Sequence, residues 1–187
     1  RHNRRMELAT PPGRFGGMPP AHWVAIDFET TGLWSPRDPE TGVIEAAVVR
    51  YERGNEVGTW STLVDPRVPL SPFIQDLTKI TNEMIDAAGV PAETARHEMQ
   101  EQVRGAEIVV SHNMAFDLKG FAWLGVFVPA AVRYCTMTSL VPEHVKWPRL
   151  AEALAHFGLE PIGPAHRAES DARSAGRIFL EMVRRGW

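Results

Sequence analysis

Polar and apolar residues alternate along the first strongly patterned segment of the chain, 23–29. Side chains two positions apart in a strand point to the same face, so the alternation predicts a core strand with two different faces. One face is expected to carry Trp23, Ala25, Asp27 and Glu29, and the other Val24, Ile26 and Phe28. Two acids therefore share a face with apolar residues.

Further patterned segments predict an α/β fold. Strand-like runs at 43–51 and 59–64 flank Glu52-Arg53-Gly54-Asn55, whose turn chemistry indicates an antiparallel hairpin. Helices are predicted at 72–88, at 92–103, from about 114 onward, at 150–157 and at 170–185, with short strands at 107–111 and 132–138. A run of strands followed by strands that alternate with helices is typical of a mixed sheet covered by helices.

Length and composition favour one globular domain. The chain has 187 residues, of which 44% are hydrophobic and 23% charged, which is enough apolar material for one core and too much for a disordered chain. Residues 1–20 are rich in Pro and Gly and are expected to form a flexible arm, with the globular domain at 21–187.

The sequence argues against several classes of protein. The single cysteine, Cys135, cannot form an intrachain disulfide or a cysteine-based zinc site. No apolar run is long enough to cross a bilayer, and the first residues lack the apolar core of a secretory signal. We therefore expect a soluble, cytoplasmic protein with no membrane partner.

The charge distribution bears on possible ligands. The formal net charge is −3, and residues 1–20 carry four arginines against one glutamate, so the predicted domain is more acidic than the chain as a whole. Nucleic-acid binding usually depends on Lys and Arg that neutralise phosphates. Carboxylates that gather divalent metal ions offer another route, because the ions then supply the positive charge that phosphate needs.

Asp27 and Glu29 form the first candidate site. Side chains two apart on a strand emerge about 6.5–7 Å apart on one face, so both carboxylates can address one metal ion. A lone Asp-x-Glu is more often a solvated edge strand. The turn that follows, Thr30-Thr31-Gly32-Leu33, offers backbone N–H groups and a small residue to an approaching phosphate.

Two more acids are predicted on the apolar stripes of helices. Asp117 shares a face with Phe121 and Leu124, and Asp171 shares one with Ala175, Ile178 and Met182. Asp117 alone would fit an interaction with the helix dipole. Inward-facing acids on several separate elements, however, all require counter-charge. Oxygen ligands without paired Cys or His favour Mg²⁺ or Mn²⁺ over zinc.

Three segments together resemble a known family. They are Asp27-Phe-Glu-Thr-Thr-Gly-Leu33, His112-Asn-Met-Ala-Phe-Asp117 and His166-Arg-Ala-Glu-Ser-Asp171-Ala. In order and spacing they are similar to the three exonuclease motifs of DEDDh-type 3′–5′ exonucleases. This is the DnaQ-like group of the ribonuclease H-like superfamily, which includes the proofreading epsilon subunit of bacterial DNA polymerase III and ribonuclease T. The likeness extends from about residue 23 to residue 184.

The resemblance implies a central five-stranded mixed sheet flanked by helices, and it assigns roles to residues. Asp27, Glu29, Asp117 and Asp171 would hold two Mg²⁺ or Mn²⁺ ions, with His166 as general base. The backbone of Thr30, Thr31, Gly32 and Leu33 would cradle the terminal nucleotide, with the Leu33 side chain against the last base. The scissile-phosphate side would be lined by His112, Asn113 and Phe116. For Leu33 and Phe116, ordinary core packing is the alternative.

The implied reaction is hydrolysis at a 3′ end by a two-metal mechanism that releases nucleoside 5′-monophosphates. DNA is the favoured substrate, in proofreading or repair, and trimming of RNA 3′ ends is the alternative. A catalytically silent nucleic-acid-binding module and a metallophosphatase are two further hypotheses. The sequence leaves open whether a DNA polymerase is a partner. It departs from the family pattern in a longer connection at 34–41 and at Glu169, where an apolar residue is usual.

Overall fold

A computed structural model of the chain describes residues 14–140 and 146–187 and places five strands in one sheet. The strands are β1 (His22–Thr30), β2 (Val43–Glu52), β3 (Asn55–Leu63), β4 (Ile108–Ser111) and β5 (Arg133–Cys135). Their order across the sheet is β3-β2-β1-β4-β5. The β1–β2 and β2–β3 pairs are antiparallel, whereas β4 runs parallel to both β1 and β5. The predicted five-stranded mixed sheet is confirmed.

Helices cover both faces of the sheet. In the described part of the chain they are α1 (Pro72–Thr78), α2 (Asn82–Ala88), α3 (Ala92–Val103), α4 (Met114–Leu124), α5 (Thr136–Ser139), α6 (Leu150–Phe157) and α7 (Ala168–Arg184). Helix α7, with α6 packed beside it, covers one face, and α3 and α4 cover the other. Among these helices, none has both the length and the apolar composition that crossing a bilayer requires.

The two faces of β1 pack into two different cores, as the alternation predicts. Trp23 and Ala25 lie in the core beneath α7, where the Trp23 ring stacks on Tyr51 with centroids 4.0 Å apart. Val24, Ile26 and Phe28 lie in the core beneath α3 and α4. Because side chains alternate along the strand, Asp27 and Glu29 continue the α7 face toward the end of β1.

The single helix predicted at 72–88 is wrong, because α1 and α2 are separate. Lys79 has a left-handed backbone, with φ 59°, and its N–H closes α1 on the carbonyl oxygen of Gln75. Thr81 then caps the N-terminus of α2, its side chain accepting a hydrogen bond from the Met84 N–H. Neither Gly nor Pro marks this break in the sequence. The caps are ordinary Thr and Lys residues, which is why periodicity alone missed it.

The strand predicted at 132–138 is too long. Strand β5 ends at Cys135, where it pairs with Ser111 at the end of β4. Beyond that point the chain turns into α5, and the Met137 N–H donates to the carbonyl oxygen of His112. Since β4 ends at Ser111, a longer β5 would have no strand partner on that side.

The hairpin between β2 and β3 is confirmed, but β3 begins earlier than predicted. Arg53 and Gly54 form the turn with positive φ angles of 49° and 97°. Two consecutive residues with positive φ make a tight two-residue turn whose twist matches that of the flanking strands. Pairing therefore starts at once, with Asn55 opposite Glu52.

The predicted flexible arm lies largely outside the described residues, which exclude 1–13. Within 14–20, the Phe15 ring packs edge-on against Tyr134 and Phe179, with centroids 5.9 and 5.2 Å away. Residue 15 thus contacts the core beneath α7. For residues 1–13 the arm stays a prediction.

Candidate active site

Acids from three elements are directed to one end of the sheet. Asp27 and Glu29 lie in the second half of β1, Asp117 lies in the first turn of α4, and Asp171 lies in the first turn of α7. Strand β4 runs parallel to β1 and leads into α4, so α4 begins at the edge where β1 ends. Burial raises the pKa of Asp27, and the charges of Asp117, Glu29 and Asp171, which all reach it, raise that pKa further.

The side chains of Glu29, His166 and Asp171 lie close to one another. One ligand atom from each of them lies within 4.8 Å of the others, a spacing that fits a shared metal ion. His166 stands in the loop before α7 with a left-handed backbone, φ 58°, and its N–H donates to Asp171 Oδ2 at 3.1 Å. That hydrogen bond ties the histidine to the same carboxylate that faces Glu29.

Asp117 is the most deeply buried of the acids, with 2% of its surface exposed. Asn113 caps α4, its side chain accepting from the Phe116 N–H, and this places Asp117 in the first turn, facing the sheet. No group among the described residues donates to Asp117 Oδ1 with hydrogen-bonding geometry, although the Ser111 hydroxyl and the Phe28 backbone lie near this carboxyl and hold its pKa below what burial alone would give. A buried carboxylate oxygen without a partner is costly unless a cation compensates it.

Burial raises the pKa of all four acids above its ordinary range. Burial is the largest influence on Asp27, whose pKa lies well above its usual value, and neighbouring carboxylates add to it. Burial and the charges of Asp171 and Glu45 raise the pKa of Glu29 to about 8. Burial raises the pKa of Asp117 to about 7 and that of Asp171 to about 6, the latter despite the His166 N–H. Protons compete with metal ions for these oxygens.

The side chains present fit hard divalent cations. Four carboxylates converge, one of them with an unpartnered buried oxygen, and each offers the oxygen ligands that Mg²⁺ and Mn²⁺ prefer. The arginine beside the cluster, Arg167, does not neutralise it, because its guanidinium is bound to Glu45. Among the described residues, the charge of Arg167 reaches Glu29 and that of His166 reaches Asp171, but the pKa values of all four acids stay raised, so this counter-charge does not offset their burial.

Glu45 is part of this site, and sequence reasoning missed it. It pairs directly opposite Glu29 across β1 and β2 and is 3% exposed. Arg167 donates to both of its carboxylate oxygens at 2.7, 3.1 and 3.2 Å. A signal was available in the sequence, because Glu45 is the one charged residue in the otherwise apolar run 43–49. A buried acid of that kind needs a cationic partner.

The turn after β1 is partly as predicted. The Thr31 N–H is already used, donating to the Gly42 carbonyl oxygen at 2.9 Å. Gly32 and Leu33 donate no backbone hydrogen bond within the described residues, so their N–H groups are available to a ligand. The Leu33 side chain is 79% exposed, which rules out core packing as its role.

The other residues of the second motif have protein contacts of their own. His112 is buried, and both of its ring nitrogens have protein partners, Thr136 Oγ1 and the Pro148 carbonyl oxygen, each at 2.9 Å. In this arrangement neither nitrogen is presented to a substrate, in contrast to the role that the resemblance implied. Asn113 is exposed and caps α4. Phe116 is half-buried, 6.1 Å from the ring of Trp34 in the lengthened connection.

Comparisons with known proteins bear on the same residues. A family model described as an exonuclease, RNase_T, matches residues 24–179. The chain is 32% identical over 170 residues to the 3′-5′ exonuclease DinG of Bacillus subtilis. It is 29% identical over 169 residues to a PolC-type DNA polymerase III of Latilactobacillus sakei. These matches cover 86% and 87% of the chain but only 17% and 11% of the two relatives, so the chain spans a small part of their length.

Solved structures share the fold. Exonuclease X in complex with 5′ overhanging duplex DNA superimposes with a TM-score of 0.68 at 25% identity, covering 88% of this chain and 93% of that one. The nuclease domain of 3′hExo, a DEDDh family member bound to rAMP, superimposes with a TM-score of 0.64 at 19% identity. That match covers 89% of this chain and 93% of the other.

Proposed function

The chain belongs to the RNase_T family of exonucleases, as its resemblance to DEDDh-type enzymes predicted, and we propose that it removes nucleotides from the 3′ end of DNA. Asp27, Glu29, Asp117 and Asp171 are the proposed metal ligands, and the ions are Mg²⁺ or Mn²⁺. His166 is the proposed general base. The products are nucleoside 5′-monophosphates.

One observation carries this proposal. Glu29, His166 and Asp171 offer ligand atoms within 4.8 Å of one another, beside a buried Asp117 oxygen that lacks a hydrogen-bond partner. A site of hydrogen-bonded structural carboxylates would not leave such an oxygen unpaired. It would also place a cation against the cluster, whereas Arg167 is engaged by Glu45.

The proposed mechanism divides the work among the side chains. Bound divalent ions supply Lewis-acid stabilisation of the charge that develops on the attacking and leaving oxygens. His166, in reach of Glu29 and Asp171, takes the proton from the attacking water. The free N–H groups of Gly32 and Leu33 hold the terminal nucleotide, with the exposed Leu33 side chain against its base.

DNA is the proposed substrate class. Among the relatives, DinG is named a 3′-5′ exonuclease and PolC a DNA polymerase III, and Exonuclease X was solved with duplex DNA. Because the PolC match places a similar segment within a polymerase, we also propose a DNA polymerase as a partner. An exonuclease that serves a polymerase should remove a mismatched 3′ nucleotide faster than a paired one.

Matched oligonucleotides test the proposal. Purified protein with Mg²⁺ or Mn²⁺ is incubated with 3′-labelled and 5′-labelled single-stranded DNA, duplex DNA and RNA of one sequence. Stepwise release of mononucleotides from DNA 3′ ends is expected, and D27A and D171A are expected to abolish it. Preference for RNA would assign the enzyme to RNA trimming. Release of inorganic phosphate from mononucleotides would indicate a phosphatase, and no metal-dependent release at all would indicate a silent binding module.

A further inference from the structure

Glu45 holds the beginning of α7 from a neighbouring strand. Its carboxylate receives the guanidinium of Arg167 in a two-pronged pair, and its Oε2 also accepts the backbone N–H of Ala168 at 2.9 Å. Two-pronged arginine–carboxylate pairs fix orientation as well as distance. One buried side chain on β2 thereby fixes two consecutive residues at the start of the helix.

These contacts replace a cap that α7 does not have. The residue at the N-cap position is Arg167, and it makes no side-chain capping hydrogen bond. Ala168 is the first helical residue, and its N–H is one of the groups that a helix leaves without an internal partner. Glu45 satisfies it, and its negative charge at the helix N-terminus is favourable. The position of the first turn of α7 therefore depends on β2.

That first turn and the loop residue just before it carry two parts of the proposed active site. His166 precedes Arg167 directly, and Asp171 accepts the His166 N–H. Movement of Arg167 and Ala168 would shift both groups relative to Glu29 on β1. Since a misplacement of about 1 Å can cost a hundredfold in rate, the tether acts on catalysis through geometry.

Glu45 also determines where the positive charge of Arg167 lies. Glu29 is the cross-strand neighbour of Glu45, and the charge of Arg167 already reaches it. Besides Glu45, the acids whose charges reach the guanidinium are Glu29 and Glu169, and Glu169 is already paired with Arg173, which leaves Glu29 for Arg167 when the Glu45 carboxylate is removed. A guanidinium bound to Glu29 would compete with a metal ion for the same oxygens.

We propose that Glu45 is a positioning residue, which sets His166 and Asp171 against Glu29 and keeps the Arg167 guanidinium away from the metal ligands. This inference rests on the proposed function. It assigns Glu45 two separable effects, one on turnover and one on metal affinity. The effect on metal affinity arises only when Arg167 is present and has lost its partner, the Glu45 carboxylate.

Two measurements separate these effects. Calorimetry measures manganese binding, and turnover of single-stranded DNA measures kcat. The variants are E45Q, R167Q, the double variant E45Q/R167Q, and E56Q as the matched control. Glu56 lies on β3 and forms a similar pair with Arg173 of α7, so this pair also links α7 to the sheet. Replacing both members of a buried pair preserves folding better than removing one, so the double variant keeps the test usable if E45Q is unstable.

E45Q is expected to bind manganese about tenfold more weakly and to lose about tenfold in kcat, the range typical for groups that orient metal ligands. R167Q and the double variant are expected to bind manganese within about threefold of wild type but to show the same loss in kcat as E45Q. E56Q is expected to match wild type in both measurements. Wild-type affinity in E45Q, or a double variant as weak as E45Q, would overturn the inference. Failure of wild-type protein to bind manganese would instead overturn the proposed function.

Discussion

Gly120 of α4 lies directly against the ring of Phe28 on β1. A Cβ atom built at Gly120 would sit 2.6 Å from Phe28 Cδ2 and 2.8 Å from its Cγ. Real side chains do not approach so closely, so only glycine lets α4 reach this distance from the strand. Asp117 lies one turn earlier on the same helix and its charge reaches Asp27, so the close approach of α4 to β1 is part of how the site is assembled.

The first prediction follows from this contact. In an exposed helix, Gly→Ala stabilises by up to about 1 kcal/mol. At position 120 the sign reverses, and G120A is expected to lower the free energy of unfolding by about 1–3 kcal/mol, because the buried Phe28 cannot move away. Urea unfolding measures the change. The double variant G120A/F28L restores room and should recover part of the loss, whereas a G120A protein more stable than wild type would contradict the contact.

The second prediction concerns pH and metal. The folded, metal-free protein holds protons on Glu29, Asp117 and Asp171 up to pH values of about 8, 7 and 6. Unfolded carboxyls release theirs near pH 4, so between pH 4 and 8 the folded state binds more protons than the unfolded state. The stability contributed by these acids therefore falls as pH rises through this window.

Metal binding should restore the stability that is lost as pH rises. At a hundred times its Kd, Mn²⁺ adds about 2.7 kcal/mol, or about 5–10 °C in Tm for a chain of this size. The rise in Tm on adding a fixed Mn²⁺ concentration is expected to be larger at pH 8 than at pH 5.5, because deprotonated ligands are required. Scanning calorimetry at both pH values checks this. Equal increments at the two pH values would mean that these carboxylates are not the ligands.

The third prediction separates activity from stability at Asp27. D27N removes an acidic group whose ionised form is disfavoured by burial and by the neighbouring carboxylates. We expect a Tm above that of wild type at pH 8 without metal, together with a loss of nuclease activity of at least about a hundredfold, since several kcal/mol of charge stabilisation are lost. A destabilised D27N protein would show that Asp27 has a structural partner instead.

The fourth prediction distinguishes two roles for His166. The side chain is close enough to Glu29 and Asp171 to be either a general base or a metal ligand. As a base, H166A should lose about 10²–10⁴-fold in kcat. Its manganese affinity by calorimetry should then remain within about threefold of wild type, since loss of a ligand-orienting or ligating group costs more than that. A loss of affinity of tenfold or more would make His166 a ligand.

The fifth prediction concerns Leu33. Because this side chain is 79% exposed, L33A should leave Tm unchanged. If the side chain packs against the terminal base, KM for oligonucleotides should rise about tenfold or more, since burying an apolar side chain contributes about 1.5–3 kcal/mol. F127A is the matched control, because Phe127 is 72% exposed and its backbone is hydrogen-bonded to Gln100 of α3. Equal KM values for L33A and wild type would remove Leu33 from the substrate site.

The sequence by itself determined which face each acid occupies. The alternation in 23–29 predicts that Asp27 and Glu29 share one face of β1. Helical spacing predicts that Asp117 and Asp171 face the sheet. These inferences hold because strand and helix periodicity are local properties of the backbone. The order of strands and helices was enough to indicate a mixed sheet.

Tertiary structure alone decided the contacts between distant parts of the chain. Arg167 and Glu45 are 122 residues apart, and no periodicity relates them. Which partner takes the ring nitrogens of His112, and which ring lies under Gly120, are likewise matters of packing between elements. Local patterns state which side chains face inward, but only the packed sheet and helices bring particular atoms within hydrogen-bonding distance.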